Sequence, residues 1–267
     1  HPRSGGEGSG LRGALGVDAA WTATEPSGVA LAEETAAGWR LLRVESSYGR
    51  FCGTTDGPPR GETANISALL DACRGLAGRA PDLVAVDMPL ALTPILGRKA
   101  CDLAIARAYR WAKLATHAPS AVRPGPVADG MREDFARAGY GLCTEGVQTP
   151  GVMSVYPHTA LLTLTGDPVR LTYKASRTTK YWPGASLPER ASRLRAVWLR
   201  IVAALETQIA GVAAALPPPG PEVRGRALKA YEDQLDAVIC AYVAIAALEG
   251  RALAYGDADS AIWVPVS

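Results

Sequence analysis

The chain has 267 residues, 48% of them hydrophobic, and a formal net charge of +2. That is enough apolar material for a buried core, and too nearly neutral for a basic nucleic-acid coat protein, although a local basic groove stays open. The cysteines at 52, 73, 101, 143 and 240 are odd in number and form no CxxC pair. This argues against a disulfide framework or a thiolate zinc site and fits a reducing cytoplasm. Three histidines (His1, His117 and His158) cannot build a histidine metal cage. The uncharged stretch 237–248 falls well short of the ~20 residues that span a bilayer, so no membrane partner is expected.

Residues 1–10 (HPRSGGEGSG) read as a leader outside the fold, which leaves 11–267 as one domain. The run at 11–22 is apolar, carries an acid, and predicts a central strand. Residues 28–33 and 39–46 alternate and predict two more strands of a meander. A loop rich in glycine and proline covers 53–61. Helical spacing at 64–76 puts Ile66, Leu69, Leu70 and Cys73 on one side. The nearly continuous apolar run DLVAVDMP at 82–89 suits a buried parallel strand. A helix is predicted at 99–113, a loop at 116–130 with three prolines and two glycines, and a short helix at 131–138. A strand at 151–156 should stop at Pro157. Two long helices follow, 187–214 and 226–249, separated by PPPGP at 217–221, with a last strand at 261–266. Periodicity alone gives an α/β class and no more.

Asp18 and Asp87 each follow an apolar strand-like run, ALGV and LVAV. An acid at the end of a buried strand is costly unless it is solvated, hydrogen-bonded or bound to a cation. Its plain alternative is a turn or cap. Asp233 and Asp236 stand i, i+3 on the last long helix and share a face with Cys240, Val243 and Ala247, so they lie on its inward side. The dipole of a helix N-terminus accounts for Asp233 better than for Asp236. Strand-end acids with a helix-borne pair suit two-metal phosphoryl chemistry, with Mg²⁺ or Mn²⁺ as the cofactor.

His158, in Tyr156-Pro157-His158, is either a structural hydrogen-bonding residue or a proton shuttle. Between 170 and 200 stand Arg170, Lys174, Arg177, Lys180, Arg190, Arg193, Arg195 and Arg200 against one acid, Glu189. Lys174, Lys180 and Arg190 are the candidate substrate contacts, whereas Arg195 and Arg200 read as a solvated helix face. Trp182 suits either base stacking or the core. Cys143 beside Glu145 has no histidine partner in sequence and is a poor nucleophile. No GxGxxG, P-loop, GxSxG or HExxH is present.

These pieces resemble a known family. GVDAAWT (16–22), VDMPL (86–90), Arg98 with Cys101-Asp102 and Arg107, VYPHTAL (155–161), TYK (172–174) with Arg190 and Arg193, DQLDAVICAYVA (233–244) and a final IWVP are similar to the domain-of-unknown-function 429 proteins, described as RNase H-like nucleases. The resemblance implies a five-stranded mixed sheet with strands one and four side by side, flanked by helices, and a large helical insertion at about 98–150. It implies Asp18 and Asp87 as metal ligands with Asp236 or Asp233 as the third, and DNA or RNA as the partner; His158, read from its place beside such a site, is the further candidate catalytic group. The strand-four acid is Asp here, where nucleases of this fold often carry Glu. Two other classes stay open: an inert RNase H-like binding protein, and an actin- or sugar-kinase-like phosphotransferase, which would need a second core and glycine-rich phosphate loops. Sequence leaves the oligomeric state open.

Overall fold

The structure, a computed structural model, describes residues 11–266; the leader at 1–10 lies outside the described residues. In chain order the elements are β1 (Gly13–Asp18), β2 (Gly28–Thr35), β3 (Gly38–Glu45), α1 (Tyr48–Phe51), α2 (Ile66–Ala77), β4 (Leu83–Val86), α3 (Ala100–Ala108), α4 (Pro126–Arg137), β5 (Gly141–Leu142), β6 (Gly151–Val155), α5 (Pro157–Thr165), α6 (Thr178–Tyr181), α7 (Leu187–Glu206), β7 (Ile209–Ala210), α8 (Val212–Ala215), α9 (Arg226–Leu248), β8 (Ala252–Gly256) and β9 (Ala261–Pro265).

The chain is mixed α/β, with helices on both faces of one sheet. The sheet runs β7-β3-β2-β1-β4-β6-β9-β8, and β5 pairs with β6. Strands β1, β2 and β3 form the antiparallel meander that alternation predicts. β4 lies parallel beside β1, and β6 parallel beside β4. The sheet is therefore wider than five strands. β5 and β7 are two residues each, too short to leave a period in the sequence, and β8 is a half-buried edge strand of small residues, Ala252 and Ala254, that gives little apolar contrast to detect.

Three helix boundaries differ from expectation. Pro157 ends β6 but also opens α5 at its first turn, where a missing N–H costs nothing, and α5 closes on Gly166 in the left-handed region (φ 69°). The 187–214 helix stops at Glu206, whose carboxylate accepts from the amides of Gly211 and Ala213 and so folds the chain back into β7 and α8. Between α3 and β5, α4 begins at Pro126, inside the segment 116–130 expected as loop, because a proline is tolerated in the first turn of a helix.

Alternation along the strands divides the core by side-chain size. Ala14, Ala30, Ala32, Leu83 and Ala85 face α9, whereas Leu15, Val17, Val29, Leu31, Val84 and Val86 face α2 and α4. The face under α9 is the one with small residues, so this helix sits low on the sheet. α5 and α7 also pack on α9, and from Tyr231 to Ala247 nearly every residue is buried. A helix apolar on all sides is thereby enclosed rather than exposed. Among the described residues no helix is long and apolar enough to cross a membrane, and the five cysteines are free thiols.

Candidate acidic cleft beneath the last long helix

Period-two geometry brings the first two acids together. Residues 14, 16 and 18 of β1 point to the α9 side, as do 83, 85 and 87 from β4 onward. The parallel register pairs Val17 with Val86, and the amide of Asp87 donates to the carbonyl of Val17 (2.9 Å). Asp18 and Asp87 thus stand side by side at the carboxyl ends of adjacent parallel strands, under α9. Both line a cleft of about 680 Å³ together with Trp21, Arg123, Lys229 and Asp233.

Two glycines seat the helix. A Cβ on Gly16 would overlap the carbonyl oxygen of Ala237 and the amide of Ala241; a Cβ on Gly28 would overlap the carbonyl of Asp233. This close approach lowers Glu232, Asp233 and Asp236 onto the strand ends. All three are buried, and Asp236 has no exposed surface at all.

Two lysines offset part of this charge. Lys174 pairs with Asp236 and lies 3.4 Å from Glu232; Lys229 pairs with Asp233 and lies 3.5 Å from Glu232. Tyr173 donates its hydroxyl to the other Asp236 oxygen (2.8 Å), and the amide of Ala175 donates to Glu232 (2.6 Å). Both oxygens of Asp236 are therefore occupied by protein donors. Burial disfavours the Lys174 ammonium, yet Asp236, Tyr173 and Glu232 hold its pKa well above the ordinary value. Lys229 is raised in the same way against its own burial, by Asp18, Asp233 and Glu232.

The charge balance stays negative: Asp18, Asp87, Glu232, Asp233 and Asp236 face two lysines. The deficit shows in the acids. Burial, then Asp236 and Asp233, pushes the Asp18 carboxyl well above its usual range. Burial raises Asp87 to about 7, with Lys174 opposing. Burial also raises Asp233, against the pull of Lys229. No lysine, arginine or backbone amide among the described residues donates to the carboxyl groups of Asp18 and Asp87, which are open to the cleft. All the donors are hard oxygens with charge to spare, a composition that fits Mg²⁺ or Mn²⁺. Among the described residues, however, no group of three or more His, Cys, Asp or Glu is already arranged around a cation position, because the lysines hold the helix acids.

A second cavity of about 410 Å³ adjoins the first and shares Trp21, Asp87, His117, Arg123 and Lys229 with it. Its far wall carries His158, Arg170, Lys174 and Arg177. His158 is buried with its ring against Tyr156 and Tyr173, and Arg170 donates to its Nε2 (2.8 Å). Burial, reinforced by Arg170, Lys174 and Arg177, pushes its pKa well below the ordinary value, so it is neutral. Of the three expected substrate contacts, only Lys174 lies here. Lys180 is exposed on α6 with the outer segment around Ser176 and Pro183. Arg190 reaches back to the hydroxyl of Thr179 (2.6 Å) and fastens α6 to α7. Arg195 grips the carbonyls of Pro219 and Gly220, both at 2.7 Å, and Arg200 pairs with Asp167, so both have structural partners. Trp182 packs on the core, and Cys143 is buried with its thiol raised by burial.

Sequence reading missed Glu232 and Lys229 as members of the cluster. Helix spacing held the signal: Lys229 stands i, i+3 to Glu232 and i, i+4 to Asp233. Asp102 was also missed. It is buried at the start of α3, accepting from the amide of Lys99 (2.9 Å) and the hydroxyl of Thr116 (2.6 Å). Nothing in the sequence points Arg123 into the cleft, since it lies in an irregular loop.

Neither the curated proteins nor the solved structures contain a match to this chain. One family model does match, over residues 16–260, a span that includes both strand-end acids, the arginine wall and the helix acids; the chain therefore belongs to the family described as Protein of unknown function (DUF429).

Proposed function

We propose that this chain is a divalent-metal-dependent phosphodiesterase acting on DNA or RNA. The observation that carries the reading is the pair Asp18 and Asp87: adjacent carboxyl groups on neighbouring parallel strands, open to a cleft and lacking a protein donor. The strand order β3-β2-β1-β4-β6, with β2 alone reversed, supports an RNase H-like core to which β5, β7 and the β8–β9 hairpin are additions.

In this reading Asp18 and Asp87 hold Mg²⁺ or Mn²⁺, with Asp233 beside them. The cation, when bound, supplies an activated water and screens the charge of the scissile phosphate. Asp236 acts through Lys174, fixing the ammonium in the wall of the second cavity. Without the cation, burial raises Asp87 to about 7, so it must give up a proton before it ligates. Trp21, which lines both cavities, offers a face on which a base can stack. Lys229 limits the repulsion between the acids and an incoming phosphate.

The test is hydrolysis of bis(p-nitrophenyl) phosphate and of single- and double-stranded DNA and RNA oligonucleotides with Mn²⁺, comparing the wild type with Asp18→Asn and Asp87→Asn. Each variant should retain its circular dichroism spectrum and lose at least about 100-fold in rate. Full activity in Asp18→Asn would sink the proposal. A second reading, an inert binding module, draws on Lys174 and Lys229, which already supply the helix acids with counter-charges. Failure of Mn²⁺ to bind at millimolar concentration would favour it.

A further inference from the structure

The second cavity carries more positive charge than its own acids can use. Of the acids that line it, Glu232 is engaged by both lysines and the amide of Ala175, and Asp102 by Lys99 and Thr116. Asp87 sits at the edge shared with the acidic cleft. Arg123, Arg170 and Arg177 line the same cavity and pair with no carboxylate among the described residues. Burial lowers the pKa of His117 and of His158; Arg170 and Arg177 lower both further, and Arg123 adds to the effect on His117.

Two buried donors in this wall lack acceptors. Arg170 has only N–H groups, so the His158 Nε2 that meets it must be the accepting nitrogen, and the ring proton sits on Nδ1. That Nδ1–H has no partner, and neither does Nε–H of Arg170. His158 is 96% buried, given its 4% exposure. A buried donor left unsatisfied costs free energy, which an ordered water or an acceptor from outside would offset. The nine-residue helix α5 opens on the same cavity through Tyr156, Pro157 and His158, adding the positive end of its dipole.

We infer that this cavity binds a phosphate monoester, held by Arg123, Arg170 and Arg177, so that the strand end bearing a terminal phosphate lies beside Asp87. A dianion matches the unpaired guanidinium groups, which bind phosphate oxygens in a forked geometry. The two cavities share Trp21, Asp87 and Lys229, so a terminal phosphate in one places the next linkage of the same strand toward the other. The choice of a nucleic-acid terminus rests on the phosphodiesterase reading; the anion site itself rests only on the arginine wall.

The test is binding rather than cleavage. In EDTA, the full chain is titrated with a fluorescent tetranucleotide carrying a 5′-phosphate, a 3′-phosphate or neither, and with inorganic phosphate and a mononucleotide as competitors. One phosphorylated end should bind at least 10-fold more tightly than the unphosphorylated strand, and inorganic phosphate should displace it. Arg177→Gln, which breaks no internal hydrogen bond or ion pair, should remove that advantage, and Asp18→Asn should keep it. Equal affinity for all three strands, or an advantage that survives in Arg177→Gln, overturns the site. A mononucleotide that proves to bind at least as tightly as the phosphorylated strand it displaces overturns the strand-end assignment. Tight end binding by a chain that never cleaves with Mn²⁺ would sink the phosphodiesterase reading and leave the anion site standing.

Discussion

Gly28 of β2 lies directly beneath the backbone carbonyl of Asp233 on α9, with no room for a methyl group between them. Gly16 of β1 holds the same relation to Ala237 one turn later. The helix acids reach the strand-end acids only because these two positions lack a side chain. Gly28→Ala must lift or tilt α9, and the enclosure of this helix by the sheet below and α5 and α7 above leaves nowhere for it to go. The expected cost is about 2–3 kcal/mol from overpacking, read as a shift in the urea midpoint. Gly38→Ala, at a turn with open space around it but a φ of 114°, is a control for backbone strain alone. A Gly28→Ala variant as stable as wild type would mean that the helix is not fixed in register by this contact.

Lys174 is the charge on which the buried part of the cluster depends. Its ammonium is the ion-pair partner of Asp236, and it also faces Glu232. Removing one partner of a buried pair leaves the other charge uncompensated, typically at about 3–5 kcal/mol. Lys174→Met should therefore destabilise the fold by that order at pH 8. Lys180→Met, on the exposed turn of α6, should cost under about 0.5 kcal/mol. Equal losses in the two variants would place Lys174 outside the network.

The strand-end acids set the sign of the pH dependence. Asp87 rises from 3.8 to about 7 in the folded chain, and Asp18 moves the same way. The folded state then binds more protons than the unfolded state between those values, so this contribution is fully present below about pH 4 and is lost as pH rises through about 7. For Asp87 alone the change is about 4 kcal/mol at most, from roughly three pKa units. Asp87→Asn should flatten the profile between pH 5 and 7 and be more stable than wild type at pH 8. His158 and His117, lowered by burial, tilt the profile the other way, so urea denaturation of the wild type is read against Asp87→Asn; equal slopes in the two between pH 5 and 7 in metal-free buffer would contradict the assignment.

How far this site was legible depends on which residues are considered. The strand-end acids could be read because each closes an apolar run, and period two then puts both on one face. Asp236 could be read as inward-facing because it shares a helix stripe with Cys240 and Val243. Its partner could not: Lys174 is 62 residues away, and no local pattern links it to α9. Lys174 therefore looked like a free cation in a loop, whereas it is the counter-ion of the buried acid. The arginine wall was half visible. Arg170 and Arg177 belong to an evident basic stretch, but only the tertiary fold separates them from Arg190, Arg195 and Arg200, whose groups are spent on Thr179, the 217–221 linker and Asp167. The extra strands were illegible because two-residue pairings are dictated by their neighbours and not by their own sequence.

Metal and proton should compete for Asp18 and Asp87, and this yields the last prediction. Carboxyl groups raised by burial and by the nearby helix acids must lose their protons before they can ligate a cation. A divalent ion held at this pair should therefore stabilise the fold strongly at pH 8 and weakly at pH 5, the reverse of the metal-free trend. At 100 times its dissociation constant a ligand adds about 2.7 kcal/mol. Mn²⁺ at that level should raise the urea midpoint accordingly at pH 8, and Asp18→Asn should abolish the increment while leaving the protein folded. Calcium, which accepts longer and more numerous oxygen contacts, should give a smaller gain in a site with only two or three available carboxylates. An Mn²⁺ increment of equal size in Asp18→Asn would place the cation elsewhere on the molecule. An increment that is larger at pH 5 than at pH 8 would show that the acids titrate in the opposite sense to the one their burial dictates.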